Sequence, residues 1–350
     1  MKKGLLLSAF VLSAMTGLAQ GQDLVTNEAA IDAVKAAANG NSVILHVRTE
    51  EEKAGFTSLE PGQTLVTQVK PVNEVDMHKQ SPKEAEAETT IQEGSVVQDN
   101  LNYTVTEMPL RSHGKDVYGL MYHPKKDGKL PLVIISHRFG ATHQVAAPYA
   151  EALAKAGYAV YIYDFRGGSL NSKSQGATTD MSIKTEIEDL EAVLRNTKHL
   201  KFVNNKEITL MGGSLGGLVT AAVGKRHDDD IKNMILLYPA FSLPNTVREQ
   251  FVTQANIPES YDMFGIMPVG AVFAKDIWSY EPYQELKKFK KPVLILHGDK
   301  DSAVPVKYSE AAVKVLKNGT LEIIPEGEHG FEGTPYQTAV KDILAFLQNK

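Results

Sequence analysis

The sequence predicts an α/β fold in which a mostly parallel central sheet is covered by helices. Three observations predict it. From Leu101 onward, short apolar runs alternate with segments of helical period, the rhythm of strand, helix and strand. Several of those runs, residues 132–136 and 158–163 among them, are apolar throughout, as strands covered on both faces must be. Finally, Gly212-Gly213-Ser214-Leu215-Gly216 stands at the joint between an apolar strand end and a helix of small residues.

Taken in order, residues 103–106 and 117–122 read as an antiparallel pair across the Gly114 turn. Residues 132–136 form the next strand, and a helix over 148–155 stops at Gly157. The strand at 158–163 follows. Ile183, Ile187, Leu190 and Leu194 then make one helical stripe. The strand ending at Met211 leads through the Gly-Ser-Gly joint into the helix beyond Leu215. Strands at 234–238, 293–296 and 321–324 and a closing helix at 340–347 complete the series. One interval breaks the rhythm: about fifty residues separate Tyr238 from Val293, longer than a plain connection in a compact domain. Residues 240–285 are read as an inserted, lid-like segment over the C-terminal edge of the sheet, where its Phe and Tyr residues and Trp278 have something to cover.

The chain has 350 residues, a net charge of −5 and no cysteine. The charge gives no footprint for nucleic acid. Without cysteine there are no disulfides, thiolate nucleophiles or Cys-based zinc sites. No His-Glu-x-x-His spacing appears, so no metal is expected. Lys2 and Lys3 precede an apolar run that closes on Gly17-Leu18-Ala19, the layout of a signal peptide over residues 1–19. The run is too short to span a bilayer comfortably, so the expectation is export to the periplasm or beyond, without stable membrane insertion. Residues 20–100 read as a small N-terminal extension, with a helix at 29–38 and a strand at 42–47. Within it, residues 70–98 read as a polar, partly disordered linker.

The Gly212-x-Ser214-x-Gly216 joint has a chemical reading. A strand that turns sharply into a helix strains the serine backbone, and side chains two residues either way would strike its neighbours. The serine hydroxyl is thereby lifted clear of the sheet. A phosphate loop fits poorly, since Gly224-Lys225 is followed by Arg226, and a dinucleotide fingerprint lacks its glycine at Ser214. A serine nucleophile needs a base, and the base an orienting acid. Two later strand ends supply candidates: His297-Gly298-Asp299-Lys300-Asp301 and Glu328-His329-Gly330. Of ten histidines, His329 is the expected base. His297 reads as a turn-stabilising side chain, and His137 as shaping the loop after its strand. Asp299 and Asp301 compete as the acid on spacing alone. Asp164 and Arg166 look like a structural ion pair, and Asp228-Asp229-Asp230 like a solvated turn.

Over residues 101–350 the chain resembles the α/β-hydrolase superfamily, and within it bacterial serine esterases of the feruloyl (cinnamoyl) esterase and lysophospholipase-like group. The residues that carry the resemblance are Gly212-Gly213-Ser214-Leu215-Gly216, His297-Gly298-x-x-Asp301-x-x-Val304-Pro305, Glu328-His329-Gly330-Phe331 and the run from Tyr163 to Ser169. The resemblance implies an α/β-hydrolase fold and selects Asp301 as the acid. It implies an oxyanion hole from the backbone N–H groups of Leu215 and Phe139, the latter in His137-Arg138-Phe139-Gly140. Arg138 stands where the family usually has Gly. It either projects toward the substrate, favouring an acidic group, or faces outward into solvent.

These observations together predict an exported serine hydrolase that cleaves carboxylic esters through an acyl-enzyme on Ser214, Asp301 and His329, with no cofactor. The expected partner is a small-molecule or carbohydrate-linked ester. A feruloyl-type substrate is implied by the resemblance. A serine peptidase or lysophospholipase on the same residues is the alternative, with Glu249, Glu259, Asp262 and Asp276 as possible anchors for a substrate amine. A dienelactone-type hydrolase would use cysteine, and haloalkane dehalogenation would need Asp at position 214. A non-catalytic binding protein on this fold would typically have lost one of the three residues.

Overall fold

The computed structural model describes residues 94–348. The expected leader and the helix and strand of the N-terminal extension lie outside the described residues.

Thirteen strands occur among the described residues: β1 (Val96–Asp99), β2 (Tyr103–Glu107), β3 (Leu110–Ser112), β4 (Lys115–Val117), β5 (Gly119–Pro124), β6 (Leu130–Ser136), β7 (Ala159–Tyr163), β8 (Val203–Gly213), β9 (Asn233–Leu237), β10 (Ser260–Met263), β11 (Met267–Gly270), β12 (Val293–Gly298) and β13 (Gly319–Ile324). Nine of them form one sheet in the order β1-β2-β5-β7-β6-β8-β9-β12-β13. The first three pairings are antiparallel and every pairing from β7 to β13 is parallel. This is the α/β-hydrolase arrangement that the resemblance implies.

The helices are α1 (Ala147–Lys155), α2 (Ile183–Thr197), α3 (Leu215–Arg226), α4 (Leu243–Phe251), α5 (Ala271–Trp278), α6 (Pro282–Lys288), α7 (Lys307–Val315) and α8 (Gly333–Gln348). Two apolar cores sandwich the sheet. Leu132 and Ile134 of β6 face a core with α2, α3 and the insertion, while Val133 and Ile135 face one with α1 and α8. The period-two alternation of side chains makes both sets apolar, hence the unbroken run in the sequence.

Parallel register aligns the strand ends that matter. Ser136 pairs with Gly212, Gly213 with Leu237, Leu237 with Leu296, and Gly298 with Ile324. The loops after β6, β8, β9, β12 and β13 therefore leave from one edge of the sheet, where ligands bind in open α/β folds.

The structure departs from expectation in five places. The sheet begins at Val96, inside the stretch read as linker. All four β1 side chains are exposed, so no buried alternation marks that edge strand. β2 does pair with β5, but the Gly114 turn closes a separate ribbon of β3 and β4. The insertion contains helices α4 to α6 and also a β10–β11 hairpin, turned by Phe264 (φ 61°) and Gly265 (φ 69°). Asp164 and Arg166 do not pair with each other. Asp164 accepts hydrogen bonds from the His143 backbone N–H (2.6 Å), His143 Nδ1 (2.7 Å) and the Lys173 N–H (2.8 Å). Arg166 bonds to Asp189 and Glu188 of α2 instead. The carboxylate serves nearer donors, and the guanidinium is long enough to neutralise the buried acid of the adjacent helix. Likewise, Asp228 and Asp230 are half-buried and paired with Lys225 and Lys198, leaving Asp229 as the exposed residue of that turn.

Candidate active site

Ser214 occupies the joint between β8 and α3 with φ 52° and ψ −117°, a conformation costing a non-glycine residue about 1–3 kcal/mol. The flanking glycines make the turn possible. A Cβ at Gly212 would lie 2.2 Å from the Gly216 carbonyl oxygen, and one at Gly216 would lie 2.4 Å from that of Ser136. The Ser214 N–H donates to the Leu237 carbonyl (2.9 Å), and its carbonyl accepts from the N–H groups of Gly217, Leu218 and Ala240. The strained residue is thus held on both sides by backbone.

Ser214 Oγ lies 2.9 Å from His329 Nε2, and His329 Nδ1 lies 2.8 Å from Asp301 Oδ2. Asp301 follows β12 and His329 follows β13. Their loops touch directly, since a Cβ at Gly298 would lie 1.9 Å from the Gly327 carbonyl oxygen. The second carboxylate oxygen of Asp301 accepts the N–H groups of Ala303 (2.9 Å) and Val304 (2.8 Å). Burial works against the Asp301 charge, but hydrogen bonds from His297 and His329 and the charge of His329 outweigh it. They hold the carboxyl well below the usual carboxylate range. His297 is fully buried, with Nδ1 2.7 Å from Ser309 Oγ. Its Nε2–H is shared between the Val304 carbonyl (2.8 Å) and Asp301 Oδ2 (3.3 Å). It braces the acid loop, which extends the turn role expected of it. Asp299 is exposed in the preceding turn and takes no part.

The Leu215 N–H belongs to the unpaired first turn of α3, and the Phe139 N–H meets no protein acceptor among the described residues. The loop carrying Phe139 is tied down by His137, whose Nε2 accepts the Phe165 N–H (3.0 Å) while Nδ1–H donates to the Arg138 carbonyl (2.8 Å). Burial pushes the His137 imidazole down to about 4, so it stays neutral and can hold both bonds. The left-handed position of this loop is Gly140 (φ 67°). Arg138 is not among the positive-φ residues, so replacing the family's Gly there costs no backbone strain.

One group at this edge was not singled out from sequence. Tyr238, just past β9, is buried with φ 36° and packs edge-on against His329 (ring centroids 4.8 Å) and Phe331 (5.0 Å). Its place directly after the neighbour of the elbow strand was the available signal. The insertion also reaches the oxyanion loop: Phe264 and Phe273 lie 5.9 and 5.5 Å from the Phe139 ring, and Ile266 covers Gly140. Among the described residues no cluster of His, Asp or Glu is placed to hold a metal, and no helix is long and apolar enough to cross a membrane.

This arrangement can activate a hydroxyl by proton transfer to a neutral imidazole and can receive an oxyanion beside it. Comparison with known proteins agrees. Est1E from Butyrivibrio proteoclasticus, solved with ferulic acid bound, superposes with a TM-score of 0.64 and 28% identity, covering 69% of this chain and 100% of that one. Acetyl xylan esterase 1 from Thermoanaerobacterium superposes at 0.58 with 15% identity over 76% of this chain and 89% of that one, a likeness of fold. In sequence, 67 residues are 42% identical to the bifunctional esterase/perhydrolase DCH of Acinetobacter calcoaceticus, 19% of this chain and 24% of that protein. Over 206 residues the chain is 24% identical to the uncharacterised protein YfhR of Escherichia coli K12, 58% of this chain and 64% of YfhR, so it spans under two thirds of these curated relatives. The prolyl oligopeptidase family model matches residues 145–350, and with the elbow, His329 and Asp301 all inside that match, the chain belongs to the prolyl oligopeptidase family.

Proposed function

We propose that the protein is an exported serine hydrolase that cleaves carboxylic esters through an acyl-enzyme. The observation that carries this reading is the continuous hydrogen-bonded relay from Ser214 Oγ through His329 to the buried Asp301 carboxylate. Ser214 attacks the ester carbonyl carbon while His329 Nε2 takes its proton. Asp301 fixes the Nδ1–H tautomer and stabilises the imidazolium. The Leu215 and Phe139 N–H groups receive the oxyanion. His329 then protonates the departing alcohol. Water, deprotonated by the same imidazole, attacks the acyl-enzyme and releases the acid and free Ser214.

The Phe139, Phe264 and Phe273 cluster beside the oxyanion loop supports an apolar or aromatic acyl group, and the likeness to Est1E with ferulic acid supports a hydroxycinnamoyl ester. Export rests on the basic and apolar start of the sequence. Membership of the family gives a peptidase reading its standing. Of the four candidate amine anchors, Asp276 is already engaged by Lys184 (2.5 Å), which weighs against it in that role, while Glu249, Glu259 and Asp262 are exposed.

The test uses protein lacking residues 1–19 and its Ser214→Ala variant on p-nitrophenyl acetate, methyl ferulate, a lysophospholipid and an aminoacyl-p-nitroanilide. Ester turnover lost in the variant is expected. Turnover of the anilide alone would move the protein to the peptidases, and activity surviving the substitution would remove Ser214 as nucleophile. Secretion of a reporter fused to residues 1–19 tests export.

A further inference from the structure

A second set of polar groups stands beside the nucleophile and is not used by the reaction above. Arg138 is exposed on the oxyanion loop, and its Nε lies 3.9 Å from where a Cβ of Gly330 would be, next to His329. The chain has 42 acidic residues, yet among the described residues none lies within ion-pair distance of this guanidinium, and it makes no hydrogen bond. Most of the other arginines near the core are engaged: Arg166 by two carboxylates, Arg248 by Trp278 and Asn245.

Arg138 shares a cavity of about 20 Å³ with Ser136, Tyr149, Gly213 and Tyr238. That is room for a single oxygen atom of a polar head and not for an aromatic ring. The Tyr149 side chain is 6% exposed, and its hydroxyl has no hydrogen-bond partner. Its ring is fixed edge-on against Tyr336, whose hydroxyl is itself bonded to the Pro148 carbonyl, so Tyr149 is held where it is. An orphaned buried phenol costs about 1–3 kcal/mol and calls for an acceptor. Tyr238 is a donor too, since burial, against the opposing charge of Arg138, pushes its phenol up to about 12. Ser136 Oγ is already bonded to Tyr163. Beside the apolar Ile135, Val145, Ala146 and Leu237, the polar part of the lining therefore offers donors and a positive charge, which is the complement of a carboxylate oxygen.

We propose that Arg138 and Tyr149 form a carboxylate subsite beside Ser214, making the protein selective for esters that carry a free carboxylate a few bonds from the scissile carbonyl. This rests on the ester-hydrolase reading and narrows its substrate class. The guanidinium holds one carboxylate oxygen and the Tyr149 hydroxyl donates to it from below, while the aromatic cluster on Phe139 lies on the insertion side of the loop.

The test compares kcat/KM on two matched pairs in which a carboxylate replaces a methyl group. These are ethyl hydrogen glutarate against ethyl pentanoate, with the charge on the acid part, and 4-acetoxybutanoate against butyl acetate, with the charge on the alcohol part. At least one pair should favour the anion by about tenfold or more. That ratio should fall about tenfold in Arg138→Gly, fall less in Arg138→Lys, and drop several-fold in Tyr149→Phe, which removes only the hydroxyl. Ratios near one in both pairs, or unchanged in both Arg138→Gly and Tyr149→Phe, overturn the subsite. Should no ester be turned over, the esterase reading fails separately, and calorimetry of glutarate on the Ser214→Ala protein decides the subsite. Binding weakened about tenfold by Arg138→Gly supports it, and absent or unchanged binding overturns it.

Discussion

The carbonyl oxygen of Ser136 sits where Gly216 would carry a side chain, 2.4 Å from the position of its Cβ, and the His137 carbonyl oxygen is 2.5 Å away. The end of β6 and the start of α3 meet backbone to backbone, so the Leu215 and Phe139 N–H groups proposed as oxyanion donors are set by one contact. Gly216→Ala must push the loop away, because backbone atoms cannot rotate aside. The expected result is a loss of about 1–3 kcal/mol in denaturant unfolding and a fall in kcat of about a hundredfold or more with the nucleophile intact.

Asp301 holds its charge against burial, with bonds from His329, His297 and two backbone N–H groups. Asp301→Asn should lower kcat by about three to four orders of magnitude, since the amide favours the wrong imidazole tautomer. A carboxyl whose folded pKa is depressed adds stability that is complete above its unfolded value. That stability is lost as pH falls below about 4. Acid-unfolding curves from pH 6 to 2 should therefore be flatter in Asp301→Asn than in the parent.

Glu186 of α2 is 1% exposed, one carboxylate oxygen has no partner, and burial together with the charge of Asp189 raises its pKa well above the ordinary value. The sign here is opposite. Above about pH 4.3 the unfolded chain releases this proton while the folded chain keeps it, so stability falls as pH rises, by up to about 1.4 kcal/mol per unit. Glu186→Gln should remove that slope, matching the parent near pH 5 and exceeding it at pH 8 in urea unfolding.

Phe264 turns the β10–β11 hairpin at φ 61° while its ring meets Phe139. Phe264→Asn keeps the turn and relieves backbone strain of about 1 kcal/mol, because Asn tolerates this region. Unfolding stability should hold or rise, whereas kcat/KM on methyl ferulate should fall relative to p-nitrophenyl acetate. A parallel loss on both esters would place the effect in the fold.

Much of the reacting geometry was legible in the sequence because each element sits at the end of an apolar run. Ser214, Asp301 and His329 each follow such a strand, next to glycines that only a close backbone approach explains. The mostly parallel sheet followed from the same runs, whereas the strand order came only with the fold. What was not legible depended on contacts between distant segments. Asp164 and Arg166 are two residues apart, yet their partners lie at 143 and at 188–189. β1 carries no buried face, and a Phe-Gly turn does not announce a hairpin when Phe must take φ above zero. Tyr238 reads as one more strand residue in the sequence, and only the fold brings its ring against His329.

The insertion meets the loop after β6 at one side chain, Phe139, which packs on Phe264 and Phe273 while its own N–H is the second oxyanion donor of the proposed mechanism. A substrate group that presses on the hairpin thus acts on the residue whose amide must meet the tetrahedral intermediate. Remote acyl contacts are therefore felt in the turnover number more than in the Michaelis constant, and truncated esters should react slowly even at saturation.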